Sequence, residues 1–208
     1  TGTSRDPNKA PALQAQGLKL LPFDGQRPLE AGWLEGVTHL LISIPPGEND
    51  DGALALHRSH LTQNNALRWI GYLSTTGVYG DSEGAWVDET SPLNPSHPRG
   101  ARRVKAEAAW LKLGREAGIP TQVFRLGGIY GPGRSPLDRI KGGRGQRISK
   151  PGQVFNRSHR DDIAQALKAS MERPTPGLAF NIVDDEPAHG VPRPRLGVAR
   201  EGVVARDQ

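Results

Sequence analysis

The sequence has no cysteine and a single methionine. Without thiols, neither a disulfide framework nor a thiolate metal site can form, and nothing points to an oxidising compartment. No apolar run approaches the roughly 18 residues that a membrane-spanning helix needs. No charged, then apolar, then small-residue leader is visible either, so the expected location is cytoplasmic with no membrane partner. Aromatic residues make up only 5% of the chain. Few rings therefore stand among the basic side chains to stack on bases, no recognition motif is present, and no nucleic-acid partner is expected. The chain opens on TGTSRDP, without an initiator Met and partway into a strand, and we expect a preceding piece to be absent.

At 208 residues the chain suffices for one sizeable core, or one domain with a small appendage. Gly and Pro are abundant, at 26 and 18, yet the apolar residues gather in short dense runs separated by turn residues, a globular pattern. Residues 18–23, 37–45, 67–75 and 119–127 read as strands without polar alternation, as expected for strands covered on both faces. Helical stretches are expected at 51–66 and 102–117, the second with Val104, Ala108 and Leu111 on one face and Gly118 as its stop. A third helix is expected at 161–172, with Asp161 as N-cap and Asp162 complementing the positive helix end. A short strand at 153–156 and the strand LAFNIVD ending near 184 complete the list.

Strands joined by crossovers of 15 to 40 residues predict parallel βαβ units, hence an α/β fold with a doubly wound parallel sheet. We expect residues 1–130 to form that sheet domain and 131–190 a small substrate-side lobe interleaved with the last sheet strand. Residues 191–208, rich in Pro, Arg and Gly, read as a disordered tail.

The net charge of +5 is unevenly spread. Residues 134–160 hold eight basic side chains against Asp138 alone, so the remainder is slightly acidic. A local basic lobe suits a phosphate-bearing small ligand as well as a polymer.

In GYLSTTGVYGD, residues 71–81, a buried strand runs out into Ser74, Thr75 and Thr76. Ligands of open α/β sheets bind beyond the carboxyl ends of the strands, where these hydroxyls emerge; hydroxyls that merely satisfy the strand end would look the same. Six stretches then occur in order: STTGVYGD, WVDETSPLNP at 86–95, a basic helix start ending in Ala106-Glu107, FRLGGIYGPGR at 124–134, SHRDDIAQAL at 158–167 and FNIVDDEP at 180–187. Together they resemble the extended short-chain dehydrogenase/reductase superfamily, and within it the atypical NAD-dependent epimerase/dehydratase-like proteins, over residues 1–187.

The resemblance implies a Rossmann-like fold and NAD or NADP as cofactor. It also implies a first strand, Gly-rich loop and first helix that are not in this sequence. Ser4 and Arg5 would stand at the end of the second strand, where an acidic residue usually takes the ribose hydroxyls, and an Arg there favours the extra phosphate of NADP. Asp24 would contact the adenine amino group, while Ser43, Ile44 and Pro45 would line the nicotinamide side; ordinary turns account for both stretches equally well.

For catalysis the resemblance implies a Ser or Thr with a Tyr and a Lys four residues apart. Thr75 matches the first. Counting back from Ala106-Glu107 puts Arg99 in the Tyr position and Arg103 in the Lys position. Arg stays protonated above about pH 12, so Arg99 cannot replace Tyr as the proton-transfer group. Arg103 can still reach the cofactor ribose, and Arg99 can grip a carboxylate or phosphate of the substrate with its two-pronged donor geometry. Thr76, Tyr130, Arg134, Arg144 and Arg147 are the further substrate-side candidates, with solvated surface as the alternative for the arginines. Tyr79 and Tyr130 are expected to pack beside the pocket, and His159 to fix a loop. No His/Asp/Glu spacing suggests a metal site.

The expected function is NAD(P)-dependent oxidoreductase or epimerase-like chemistry on a small anionic carbonyl or sugar-type substrate. The alternative is a non-catalytic dinucleotide-binding sensor or interaction protein that has lost the Tyr/Lys pair. Oligomeric state is not legible.

Overall fold

The computed structural model describes residues 1–135, 138, 141–143 and 154–189. A four-stranded parallel sheet organises most of them. Its strands are β3 (His39–Ile42), β4 (Trp69–Thr75), β5 (Thr121–Leu126) and β9 (Ala179–Ile182), in that spatial order. A separate parallel pair joins β1 (Gly2–Ser4) to β2 (Leu20–Pro22), with the short helix α1 (Ala10–Gln14) between them. Beyond the carboxyl ends of β5 and β9, β6 (Gly128–Tyr130) pairs in parallel with β8 (Arg157–His159). Last, β7 (Val154–Phe155) pairs antiparallel with β10 (Ala188–His189).

Helices α2 (Gly52–Thr62) and α3 (Pro98–Ala117) cover one face of the large sheet, and α4 (Arg160–Glu172) covers part of the other. Strand alternation divides the core accordingly. Ile70 and Tyr72 of β4 meet Trp110 and Leu113 of α3, whereas Trp69 and Leu73 on the opposite face meet Phe124, Ile163 and Leu167. Trp69, Ile70, Trp110 and Leu113 are fully buried, each contributing about 1.5–3 kcal/mol by the usual scale for large apolar side chains.

The four expected sheet strands form within their predicted runs. Coverage on both faces holds for β4 and β5 but not for β3, where Leu41 is 40% exposed because no described helix packs on that side. The helix expected at 102–117 begins earlier, at Pro98, a residue that fits the first turn because it needs no amide partner there. It ends at Gly118, whose φ of 67° closes the helix in the left-handed conformation. Its buried face is Ala106, Glu107, Trp110 and Leu113, not Val104, Ala108 and Leu111, since the large Trp and Leu decide which stripe turns inward. The cap of α4 is His159 rather than Asp161: the His159 ring accepts the Asp161 N–H at 3.3 Å, leaving Asp161 two positions inside, in the first turn. Among the described residues no helix is long and apolar enough to cross a membrane.

Candidate functional site

Because β3, β4, β5 and β9 run parallel, their carboxyl ends share one edge, and the elements that follow them meet there. Thr75 ends β4, with its Oγ1 accepting the Gly77 N–H at 3.1 Å and so capping the short 3-10 turn Thr76–Val78. Thr76 donates to the Leu126 carbonyl at 3.5 Å, tying that turn to the end of β5. The first turn of α3 presses against it. A side chain at Gly100 would come within 2.8 Å of the Gly77 carbonyl and 2.7 Å of Pro95, so only glycine allows this approach.

The first turns of α3 therefore carry Arg99 and Arg103 to the end of β4. Arg99 is exposed and has no partner among the described residues. Arg103 turns back onto the strand: its Nη1 donates to the Tyr72 hydroxyl at 3.2 Å and to the Leu73 carbonyl, with the guanidinium 5.5 Å from the Tyr72 ring centroid. Burial pushes the Tyr72 phenol up to about 12, against the opposing pull of the Arg103 charge.

Beneath this lies a buried polar cluster. Ser74 donates to Glu107 Oε1 at 2.5 Å, and Arg125 of β5 grips the same carboxylate from Nη2 at 2.9 Å and Nε at 3.2 Å. Arg125 Nη1 also donates to the Tyr79 hydroxyl at 2.8 Å and the Glu89 carbonyl at 3.2 Å. The Tyr79 hydroxyl donates to Asn181 Oδ1 at 2.8 Å, and the Asn181 backbone N–H donates to the Glu89 carboxylate at 2.6 Å. Burial opposes the Arg125 charge, but its bonds to Glu107 and Tyr79 more than offset this and hold it above the ordinary arginine value.

On the lobe side, Tyr130 ends β6 and is hydrogen-bonded to Asp184, which raises its phenol above the usual range. Its ring meets His159 edge-on at 5.1 Å. Arg134 is exposed and closes a small turn with Gly131 through backbone bonds. Arg144 and Arg147, with most of the basic lobe and the tail, lie outside the described residues.

The cofactor-side candidates sit at strand ends as well. Ser4 ends β1 and bonds the Asp6 backbone, and Arg5 beside it is exposed without a partner among the described residues. Ser43, Ile44 and Pro45 follow β3, the first and last exposed and Ile44 packed against the core. Asp24 follows β2, its Oδ1 accepting the amides of Gln26 at 2.8 Å and Arg27 at 3.3 Å. The Gln26 bond is foremost in holding its carboxyl below the ordinary value. Pro46 and Gly47 continue into a cavity of about 310 Å³ between α2 and α3, where Leu54, Arg58, Arg102 and Lys105 also line the wall.

The model for the NAD dependent epimerase/dehydratase family matches residues 52–182, more than half of the chain and the whole span from α2 through β9. The chain belongs to that family. This family member is 34% identical to the Escherichia coli K12 protein YeeZ over 118 residues, which is 57% of this chain and 40% of YeeZ. A solved structure of a conserved protein of unknown function from Silicibacter pomeroyi DSS superposes with a TM-score of 0.80 at 50% identity, covering 89% of this chain and 64% of that one. UDP-glucuronic acid 4-epimerase from Bacillus cereus, solved with NAD, superposes with a TM-score of 0.70 at 20% identity over 86% of this chain and 66% of that one, a likeness of fold. This family member thus spans about two fifths of the curated relative and under two thirds of the first of these structures.

In this family member Thr75, Arg99 and Arg103 come together, whereas Ser4, Arg5 and Asp24 stand on the separate β1–β2 pair. Sequence reasoning missed Tyr72, Arg125, Asn181, Glu89 and Asp184, and quoted Glu107 only as the end of a motif. The signal for two of them was present: a lone Arg inside the apolar run TQVFRLGG calls for a buried counter-charge, and Glu107 is the acidic residue on the inward stripe of α3.

Proposed function

We propose that the chain handles a nicotinamide dinucleotide and a small anionic carbonyl or sugar-type substrate, as an NAD(P)-dependent oxidoreductase or epimerase-like protein. The observation that carries this reading is the approach of the first turn of α3 to the Thr75–Gly77 turn, which sets two arginines beside a strand-end hydroxyl. Thr75 Oγ1 accepts from the Gly77 N–H and keeps its own proton to donate to the reacting oxygen. Arg99, exposed and without a partner among the described residues, supplies the positive charge that an anionic substrate or a developing oxyanion needs. Arg102 and Lys105, on the adjoining cavity wall, add positive potential on the same flank.

The donor chemistry fits the two nucleoside ends of such a cofactor: Ser4, Arg5 and Asp24 on the adenosine side, and Ser43, Ile44, Pro45 and the outward edge of Arg103 on the nicotinamide side. Among the described residues no glycine-rich strand-to-helix turn offers free amides to a pyrophosphate; the start of α2 is capped by Asp51 and that of α4 by His159. The chemistry such a group supplies when bound is hydride transfer. Arg5 favours NADP over NAD. Titrating the protein with NADPH and NADH by cofactor fluorescence tests the reading: NADPH binds more tightly, Arg5→Ala erases the preference, and no binding of either overturns it.

One observation favours the second reading, a dinucleotide-binding sensor without turnover. All three tyrosines have their hydroxyls engaged, Tyr72 by Arg103, Tyr79 by Arg125 and Asn181, and Tyr130 by Asp184, so no free phenol faces Arg99. Cofactor binding with no turnover on a panel of carbonyls and nucleotide sugars, and activity gained on combining Arg99→Tyr with Arg103→Lys, is the outcome that selects it.

A further inference from the structure

The segment between β2 and β3, residues 23–38, lies against α2, and one buried side chain makes the decisive contact. His57 of α2 is 2% exposed and its Nε2 accepts the Leu29 N–H at 3.4 Å. An imidazole nitrogen that accepts carries no proton, so the ring's one proton sits on Nδ1, which is buried without a partner among the described residues. The indole N–H of Trp33, from the same segment, is likewise buried and unpartnered, with its ring 4.7 Å from that of His57. Two donors are thus buried where the rings of Phe23, Trp33 and His57 meet, and among the described residues no acceptor answers either of them.

We propose that His57 is an acid-sensitive latch: neutral, it holds the backbone around Leu29 against α2, and on protonation it lets that stretch loosen. A second proton on the ring would place an N–H against the Leu29 N–H, donor against donor, and leave a cation without a counter-charge. The groups facing it supply none. From α2 itself there is His60, with ring centroids 6.0 Å apart; from β2 and the segment after it there are only the rings of Phe23 and Trp33. Glu30 and Glu35 are exposed on that segment, and Asp24 is spent on its own turn. Burial first, and then the neighbouring His60, hold the imidazole below its ordinary value of 6.5.

Apolar burial anchors the rest of the segment: Phe23 and Leu34 belong to the buried core, Leu29, Trp33 and Val37 pack against it, and Asn64 Nδ2 donates to the Leu34 carbonyl at 3.4 Å. Loss of the His57 contact therefore loosens the backbone around Leu29 while both ends stay anchored, with the Gly25 carbonyl still packed under Gly52 at the start of α2. Asp24 lies beside the Phe23 anchor, so the latch acts on the stretch after it and does not depend on the cofactor reading above.

The test follows tryptophan fluorescence and amide exchange at Leu29 in the cofactor-free chain from about pH 8 to about pH 5. A one-proton emission change below pH 6.5 is expected, absent in Trp33→Phe and in His57→Gln, whose amide oxygen accepts from Leu29 without titrating. Protection at Leu29 should fall by up to about tenfold per pH unit in the wild type only. A flat wild-type profile, or the same transition in His57→Gln, overturns the latch. Should His57→Gln fail to fold, nitrogen NMR of the His57 ring decides: ring protonation without loss of Leu29 protection overturns it, and the two changing together supports it.

Discussion

Replacing Glu107 with alanine removes the anion from a buried cluster. Glu107 is 3% exposed and Arg125 6%, and the carboxylate accepts from Ser74 and from two nitrogens of Arg125. Without it, Arg125 keeps only the Tyr79 hydroxyl and the Glu89 carbonyl, neutral acceptors for a buried full charge. Breaking one side of such a pair costs about 3–5 kcal/mol. In a domain of this size each kcal/mol moves the melting temperature by about 2–4 °C, so a fall of about 6–20 °C is expected. Replacing both partners with apolar groups, Glu107→Leu with Arg125→Met, removes the stranded charge. It leaves the buried Ser74 hydroxyl without its acceptor, at about 1–3 kcal/mol, while the carbonyl of the exposed Glu89 can turn to solvent. The double variant is therefore more stable than Glu107→Ala, and far more stable than the sum of the two single losses predicts. Urea unfolding of the wild type, Glu107→Ala, Glu107→Leu, Arg125→Met and the double variant measures this. A Glu107→Ala loss below about 1 kcal/mol, or strict additivity of the two sites, refutes the assignment of the cluster as a mutually dependent buried pair.

Three other outcomes are expected. Stability falls on acidification through His57: its folded-state value lies below 6.5, so the contribution is intact above pH 6.5 and is lost as pH drops toward the folded-state value, and denaturant midpoints of His57→Gln should lack this slope. Tyr72→Phe costs about 0.5–1.5 kcal/mol by unfolding and abolishes the tyrosinate absorbance change near pH 12, because the Arg103 donor loses its phenol partner. Gly100→Ala gains about 1 kcal/mol of helix propensity yet destabilises the protein by thermal melting, since the added carbon meets Gly77 and Pro95 at under 3 Å; a neutral or raised melting temperature would contradict the close approach of α3 to the strand end.

What the sequence revealed follows from which forces leave a local trace. Four dense apolar runs marked β2, β3, β4 and β5 because burial selects those residues directly, and Gly118 marked the end of α3 because the left-handed stop favours one residue type. The inward stripe of α3 was misread because Val104, Ala108 and Leu111 have the right spacing, while Trp110 and Leu113 carry the larger area and win the contest for the core. His159 took the cap from Asp161 because imidazole can accept a backbone N–H as a carboxylate does, a role that residue statistics rank low. At the site, motif order located Thr75, Arg99 and Arg103, but the recruitment of Arg103 by Tyr72 depends on which face of β4 turns toward α3. That pairing spans thirty-one residues, and no local pattern encodes it. The cofactor-side residues on β1 and β2 were legible only through the resemblance, because Ser4, Arg5 and Asp24 are ordinary turn residues in both composition and hydrogen bonding.

Among the described residues, β3 borders the large sheet. One side of this strand pairs with β4, and no described strand takes the hydrogen-bonding groups of the other side. The strand reads His-Leu-Leu-Ile, with Leu41 open to solvent. An uncharged border of this kind is a template for another extended segment, and natural sheets usually blunt it with a lysine, a proline or a bulge. None of these interrupts residues 39–42. Residues 39–42 are therefore ready to take a further strand alongside, which would answer these backbone groups and cover Leu41.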